Sequence, residues 1–408
     1  MDRNVRPDTW GAVDGLGRIL PENGSVGEKR DRFVGMFYWT WHDRYDDPEN
    51  AVNMAWETPN RGQGTVNMQK VMDQYPEAKN DYYHPGWCGM GSGNGIGCGH
   101  WNEPVYGYYF SDDCWVIRRQ AELLANAGVD AVFFDNTNGS DMWEKGYMAV
   151  GRTFESAQRD GVRVPGIAFL LPLHYPDNPD NGEMNRIQLR ELYRKVYQPG
   201  LFRSVWFTWK GKPLIMAYPD ALNPADPLEA EILQFFTFRP CQPKYYEVPL
   251  RENMWGWLSV YPQTVYPNPD GSPEQICVGV AQNINAESLE RGSVCTMNGE
   301  NIFGRSYSSQ GFDPRPDAKL WGANFEEQWR RALQVDPEFV FVTGWNEWIA
   351  GHRKERFGVK NGICDEFDDE HSRDIEPSKG DLITSFAPIF AVLKALESRN
   401  LIRRRFLA

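Results

Sequence analysis

Short apolar runs alternate with amphipathic stretches along most of this chain. In order the runs are Val34–Trp41, Asp130–Asp135, Gly166–Leu173, Pro213–Tyr218, Phe235–Arg239, Trp255–Tyr261, Ile276–Gln282 and Phe339–Trp345. They are apolar at odd and even positions alike, the pattern of parallel strands covered on both faces. Helices are readable between several of them. Ile117, Ala121 and Leu124 share one face of a helix that Ser111 or Asp112 caps and Gly128 closes. Tyr147, Val150, Phe154 and Ala157 mark a second, ended by Gly161, and Trp329, Ala332 and Leu333 a third. Leu382, Phe386, Ile389, Leu393 and Leu396 mark the last. The fifth and sixth runs carry the weakest strand pattern. Eight strands alternating with helices predict an α/β chain folded as a closed (β/α)8 barrel. One such domain spans 1–408, with an extension at 1–31 packing on it.

That topology directs attention to strand ends, because barrel enzymes keep their chemistry on the face where strands hand over to helices. Two connections on this face are far longer than the few residues an ordinary loop needs: 42–111 and 346–378. Loops of that length are usually functional.

Composition narrows the chemistry. The formal net charge is -13 and the isoelectric point about 5.1. An acidic surface argues against nucleic-acid partners, which demand clustered Lys and Arg. The run Arg403-Arg404-Arg405 reads as a solvated tail. No apolar stretch is long enough to span a membrane. The opening residues hold no apolar leader core, which leaves two alternatives, a cytoplasmic chain and an exported one that has lost its leader. The seven Cys are an odd number and form no CxxC, so neither a disulfide scaffold nor a zinc ribbon is indicated. Cys88 and Cys98 bracket a Gly-rich loop and are spaced to be bridged if the chain is exported. The 16 Trp exceed what core packing needs. Indole faces stack on the C–H faces of sugar rings, and a carbohydrate ligand suits such a chain.

Acids at strand ends are the catalytic candidates. Asp135 ends the second run in FFDNTNG, Glu347 follows the eighth in TGWNEW, and Asp220 follows the fourth in MAYPDA. Cleaving a glycosidic bond takes two carboxyl groups, one protonating the leaving oxygen and one attacking or activating water. The same face collects candidates for binding sugar: Trp39, Trp41, His42, His84, His100, Asn136, Asn138, His174, Arg239, Tyr261, Gln282, Asn283, Trp345, Asn346 and Trp348, with Tyr106, Tyr108 and Tyr109 lining the first long loop. All six His, including His352 and His371, fall on this side. No HExxH or comparable pair marks a metal site, and no cofactor is required. The acidic stretch Cys364–Pro377 has oxygens enough for a structural calcium but lacks EF-hand spacing. GWCGMGSGNGIGCGH lacks the GK[ST] of a phosphate loop and reads as a flexible rim. No GxSxG elbow is present.

TGWNEW, FFDNTNG and the opening FYWTWH resemble glycoside-hydrolase barrels of the family 71 and family 99-like set, over roughly 32–396. The resemblance implies a barrel glycosidase and carries Glu347 over as its acid. Family 99 enzymes have a second Glu three residues on, where this chain has Ala350. The expectation is therefore a hydrolase of oligo- or polysaccharide, with Glu347 as general acid/base and Asp135 as nucleophile or base. Two alternatives are an inactive carbohydrate-binding barrel, favoured by Ala350, and a metal-dependent hydrolase using His42, His84, His100 or His174.

Overall fold

The computed structural model describes residues 12–13, 19–20, 31–42, 67–87, 96–138, 141–174 and 179–379. The C-terminal helix expected around Leu382–Leu396, the tail arginines, Cys88, the Cys98 side chain and most of the 1–31 extension lie outside the described residues.

Seven of the eight apolar runs form parallel strands: β1 Phe33–Tyr38, β2 Ala131–Asp135, β3 Gly166–Leu170, β4 Lys212–Met216, β5 Thr237–Phe238, β6 Pro273–Gly279 and β7 Phe339–Thr343. Their order across the sheet is β6-β7-β1-β2-β3-β4-β5. Residues alternate between its two sides. Val132, Phe134, Phe169, Ile215, Val278, Val340 and Val342 pack outward against helices. Ala131, Phe133, Ala168, Leu170, Leu214, Met216, Cys277, Phe339 and Phe341 fill the inner side with Phe207, Trp209 and Trp255. Each fully buried Phe contributes on the order of 1.5–3 kcal/mol. Gly35 makes room for two of them: a Cβ there would lie 2.5 Å from the Phe339 ring and 2.7 Å from that of Phe133.

The helices follow the pattern read from the sequence. In α1, Cys114–Asn126, the residues Val116, Ile117, Ala121 and Leu124 are buried. Its cap is Asp113, one residue beyond the positions expected, accepting from the backbone N–H of Trp115 and Val116. Helix α2, Glu144–Arg159, buries Tyr147, Val150, Phe154 and Ala157. In α3, Ala323–Val335, the residues Phe325, Trp329 and Ala332 face the sheet.

The closed eight-strand ladder expected is not what the backbone makes. The sixth run, Trp255–Tyr261, forms no strand, and the fifth is only two residues long. Backbone and side-chain contacts link the end of β5 to the segment before β6, on which Val265–Pro267 also pairs antiparallel. Trp255 makes a single parallel bridge to Cys241. The Gln275 amide pairs with both backbone groups of Gly256, at 3.1 and 3.0 Å, as a neighbouring strand would. Beneath them Arg239 reaches from the end of β5 to Glu274 on β6, with contacts of 2.9 and 2.6 Å. The indoles of Trp209 and Trp255 donate to the same carboxylate at 2.9 and 3.0 Å. Arg239, expected to bind substrate, is a buried structural partner at this seam.

The two long loops meet. Ile349–Arg356 pairs antiparallel with both Ile96–His100 and Val359–Ile363. The Gly-rich segment expected as a flexible rim therefore ends in a strand. Trp101 and Trp348 stack across this junction, 4.7 Å between centroids and 12° between planes.

The seam makes a prediction. Arg239→Met strands the Glu274 carboxylate in the interior and should lower the unfolding free energy by about 3–5 kcal/mol. Adding Glu274→Gln should restore part of the loss. Urea unfolding measures both, and a single variant as stable as the parent would contradict the structural role of the pair.

Candidate active site

Strand parity aims the key groups. Asp135 continues the inward series Ala131, Phe133, so its carboxyl lies on the inner side where β2 ends. It accepts from the Thr137 N–H at 2.9 Å and from Asn138 Nδ2 at 3.2 Å. Burial raises its pKa against those bonds; Asp365 pushes it the same way and Arg373 opposes. Asp135, Asp365 and Arg373 thus feel one another's charge.

Glu347 is held by the chain's return. The segment after the loop sheet runs back along the end of β7, with Gly344 N–H donating to Arg373 O at 2.8 Å and Glu376 N–H to Trp345 O at 2.9 Å. This sets Asp374 under the Glu347 backbone N–H, which donates to its Oδ1 at 2.7 Å. It also sets Arg373 beside the carboxyl, Nη2 to Oε2 2.7 Å. Arg373 is buried and shared. Its Nη2 lies 3.3 Å from Asp365. Its Nε donates to Glu366 at 3.1 Å and its backbone N–H at 2.6 Å. One guanidinium thus faces three carboxyls, with the Asp374 carboxyl next to them.

Such a cluster retains protons. Burial raises Glu347 and Glu366, more than Arg373 lowers them. Burial lifts Asp374 to about 6, against bonds from the Glu347 N–H and the Trp101 indole. Glu366 and Asp374 each accept two N–H bonds, whereas Glu347 accepts one from Arg373. Glu347 is the least bonded of these three, and burial raises it well above the ordinary Glu range.

Behind it lies a second buried acid that sequence reasoning missed. Glu376 accepts from Tyr109 and Trp348 on Oε2 and from Gln120 on Oε1. Tyr38 donates in turn to Gln120. Burial lifts Glu376 to about 7. Asn346 brackets the backbone of Trp39, accepting from its N–H at 2.8 Å and donating to its carbonyl at 3.1 Å. Asn346 and Trp348 are therefore supports for Glu347. Trp348 also stacks on Trp101, and Trp345 turns outward into the helix-facing core at 1 % exposure. Neither indole presents a face to a ligand.

Two other indoles are less enclosed. Trp41 and Trp257 are half-buried and pack on the inner apolar cluster. Neither Nε1 finds a partner among the described residues. Trp257 lies under the Arg373 guanidinium at 5.8 Å, and pattern alone does not single it out because its run reads as a strand. Trp39 is buried beside them, its ring against Gly344.

The remaining candidates scatter. Asp220 is half-exposed; burial would raise its pKa, but a two-armed pair with Arg251 at 2.9 and 3.1 Å lowers it. His42 and His100 stack 6.4 Å apart beside Tyr109. Burial lowers both, His42 to about 3, so they are neutral. His174 lies against the Tyr218 ring at 5.2 Å. His84 sits 3.5 Å from Glu77 and accepts from the Gly86 N–H. His352 packs between Tyr82 and Trp87, and His371 pairs with Asp368 at 2.8 Å. Asn136 donates to Met142 O at 2.7 Å, and Asn283 accepts from Tyr245. Tyr261 and Gln282 line a separate cleft. Among the described residues no three His, Cys, Asp or Glu groups gather as a metal site. In the acidic stretch Asp365, Glu366, Asp368, Asp369, Glu370, Asp374 and Glu376 all have protein partners. Ala350 is buried in the loop-sheet core with Met68 and Trp87, away from the Glu347 carboxyl's surroundings.

No protein-family profile matches the sequence, and no curated protein does. Among solved structures the chain is similar to the GH99 endo-alpha-mannosidase from Bacteroides thetaiotaomicron, at 13% identity and a TM-score of 0.45, over 90% of this chain and 98% of that one. It is similar to the same enzyme in complex with bis-tris-propane at 13% identity and a TM-score of 0.44, with the same coverage.

The Glu376 network predicts a pH dependence. A carboxyl raised from about 4.3 unfolded to about 7 folded gives stability below pH 4.3 that is lost as pH rises through 7. Over that window the wild type should lose on the order of 3 kcal/mol relative to Glu376→Gln, whose side chain does not ionise. Urea unfolding of both proteins at pH 5 and pH 8 reads the difference; parallel pH profiles would contradict a protonated Glu376.

Proposed function

We propose that this chain is a glycoside hydrolase that cleaves an oligo- or polysaccharide, with Glu347 as general acid and Asp135 as the partner carboxylate. The observation that carries the reading is the state of Glu347. Its carboxyl is buried in a cluster with more acids than bases, which favours the protonated form. Arg373 holds Oε2, while Oε1 has no partner among the described residues. A carboxyl fixed by one oxygen and free at the other suits proton donation to a leaving oxygen. Asp135 keeps two N–H donors, which favour its ionised form against the burial that raises it, for attack on the anomeric carbon or on water. As Glu347 loses its proton to the leaving group, Arg373 stabilises the carboxylate left behind. The half-buried indole of Trp41 fits the C–H face of a sugar ring, and Asp365, 44 % exposed, fits a hydroxyl.

The test is hydrolysis of a panel of plant, algal and host glycans with product analysis. Glu347→Gln should lower turnover by roughly two to four orders of magnitude. Substrates with good leaving groups should suffer less, because they need little protonation. Activity should fall on the alkaline side as Glu347 ionises, at a pH above the ordinary Glu range because burial raises it, and that limb should vanish in the variant. Near-normal turnover by Glu347→Gln on a natural glycan would make another group the acid. Binding with no turnover of any panel member would make the chain an inactive carbohydrate binder.

Trp41→Ala gives an independent check. It should raise KM for the same glycan by about tenfold at similar kcat. An unchanged KM would return Trp41 to a packing role.

A further inference from the structure

A cleft of about 430 Å³ opens beside the seam, between the segment that follows Trp257 and the loop that follows β6. Its size falls in the range of small-molecule sites, roughly 300–1,000 Å³. Neither Glu347 nor Asp135 lines it.

Its walls define a ligand. Phe303 and Tyr307 stack face to face, 3.8 Å apart and 4° from parallel, as one rigid apolar wall. Tyr261 stands opposite the solvent with 37 % of its surface open. Gln282 is buried in the lining, its backbone N–H bonded to Phe303 O at 2.9 Å, yet its side-chain Nε2 has no partner. The Gln282 Nε2 is itself enclosed, beside Gly279, so this residue shapes the wall and is not a donor to the cleft. Among the lining residues there is no Lys, Arg or His, and Glu290 is the one charged group. Anions are therefore disfavoured. Flat apolar faces and a lining without a cation together suit a neutral sugar ring.

The cleft is also joined to the reaction site. Phe303, Val260 and Tyr307 belong to one buried cluster with Trp257, and Trp257 lies against the Arg373 that holds Glu347.

We propose that this cleft is a second carbohydrate subsite, holding neutral sugar units of the same glycan whose bond is cut at Glu347. It rests on the glycosidase reading, and its test separates the two. Tyr261→Ala removes the open ring. Ala286→Trp fills the cleft from its exposed edge, and serves if the first variant does not fold. Both are made in the Glu347→Gln protein, and affinity for neutral oligosaccharides of increasing length is measured by calorimetry. In the active protein, the ratio of kcat/KM for long over short substrates is measured alongside. Affinity for long chains should fall about tenfold in each variant, affinity for the shortest should not change, and the ratio should fall likewise. Loss of length-dependent binding in a protein that hydrolyses nothing would uphold the subsite and overturn the glycosidase reading. Long chains bound and turned over as well by both variants as by their parents would overturn the subsite. So would a parent protein that binds no neutral oligosaccharide.

Discussion

One guanidinium organises the end of this sheet. Arg373 is buried among Glu347, Asp365 and Glu366. Removing its charge from water costs several kcal/mol, and only close anionic partners offset that. Glu347, Glu366 and Asp374 are buried together near this one cation, and burial raises all three. The cluster must retain a proton, and hydrogen bonding decides where. Glu366 and Asp374 are each satisfied by two donors, which leaves Glu347 as the acid form.

The fold exists around that arrangement in a specific sense. β7 brings Glu347 to the inner rim, but the return segment at 373–376 fixes it. That segment is anchored from below by Glu376 in the Tyr109–Gln120–Trp348 network and from the side by Arg305, which donates to Ser372 and to Asp374 O. The two long loops are thus not independent flaps. Trp101 from the first stacks on Trp348 from the second and donates to Asp374. Loops joined this way position a carboxyl more firmly than either would alone.

Much of this was legible in the chain. Apolar runs located seven strands, because strands covered on both faces must be apolar at every position. The sixth failed for a physical reason: Gly256 pairs with a side chain, Gln275, and no periodicity reports that. Strand-end logic drew attention to Asp135, which parity on β2 turns inward, and to Glu347, which lies beyond β7 and is placed by the return segment instead. That logic could not separate ligand-facing from supporting aromatics. Trp345, Trp348 and Trp41 look alike in sequence, yet the first is core, the second bonds Glu376 and the third is only half-buried. Arg373 and Glu376 were hidden in a run dense in acids, where composition suggested calcium or solvent. Their roles depend on contacts across more than 25 and 250 residues, to Glu347 and Gln120. Asp220 was misjudged for the opposite reason: a strand-end acid draws notice, but Arg251, 31 residues on, claims it.

The central claim is that Glu347 keeps its proton because it is the least served by donors of the three acids buried near Arg373. Carboxyl-selective infrared difference spectroscopy, comparing the protein with Glu347→Gln across pH 3–9, observes that proton directly. The account predicts a protonated carboxyl band, lost in the variant, that titrates above the ordinary Glu value of about 4.3. It also predicts that Arg373→Met moves the titration higher still, since the guanidinium is the main force holding it down. A Glu347 band that titrates at or below 4.3 would contradict the account.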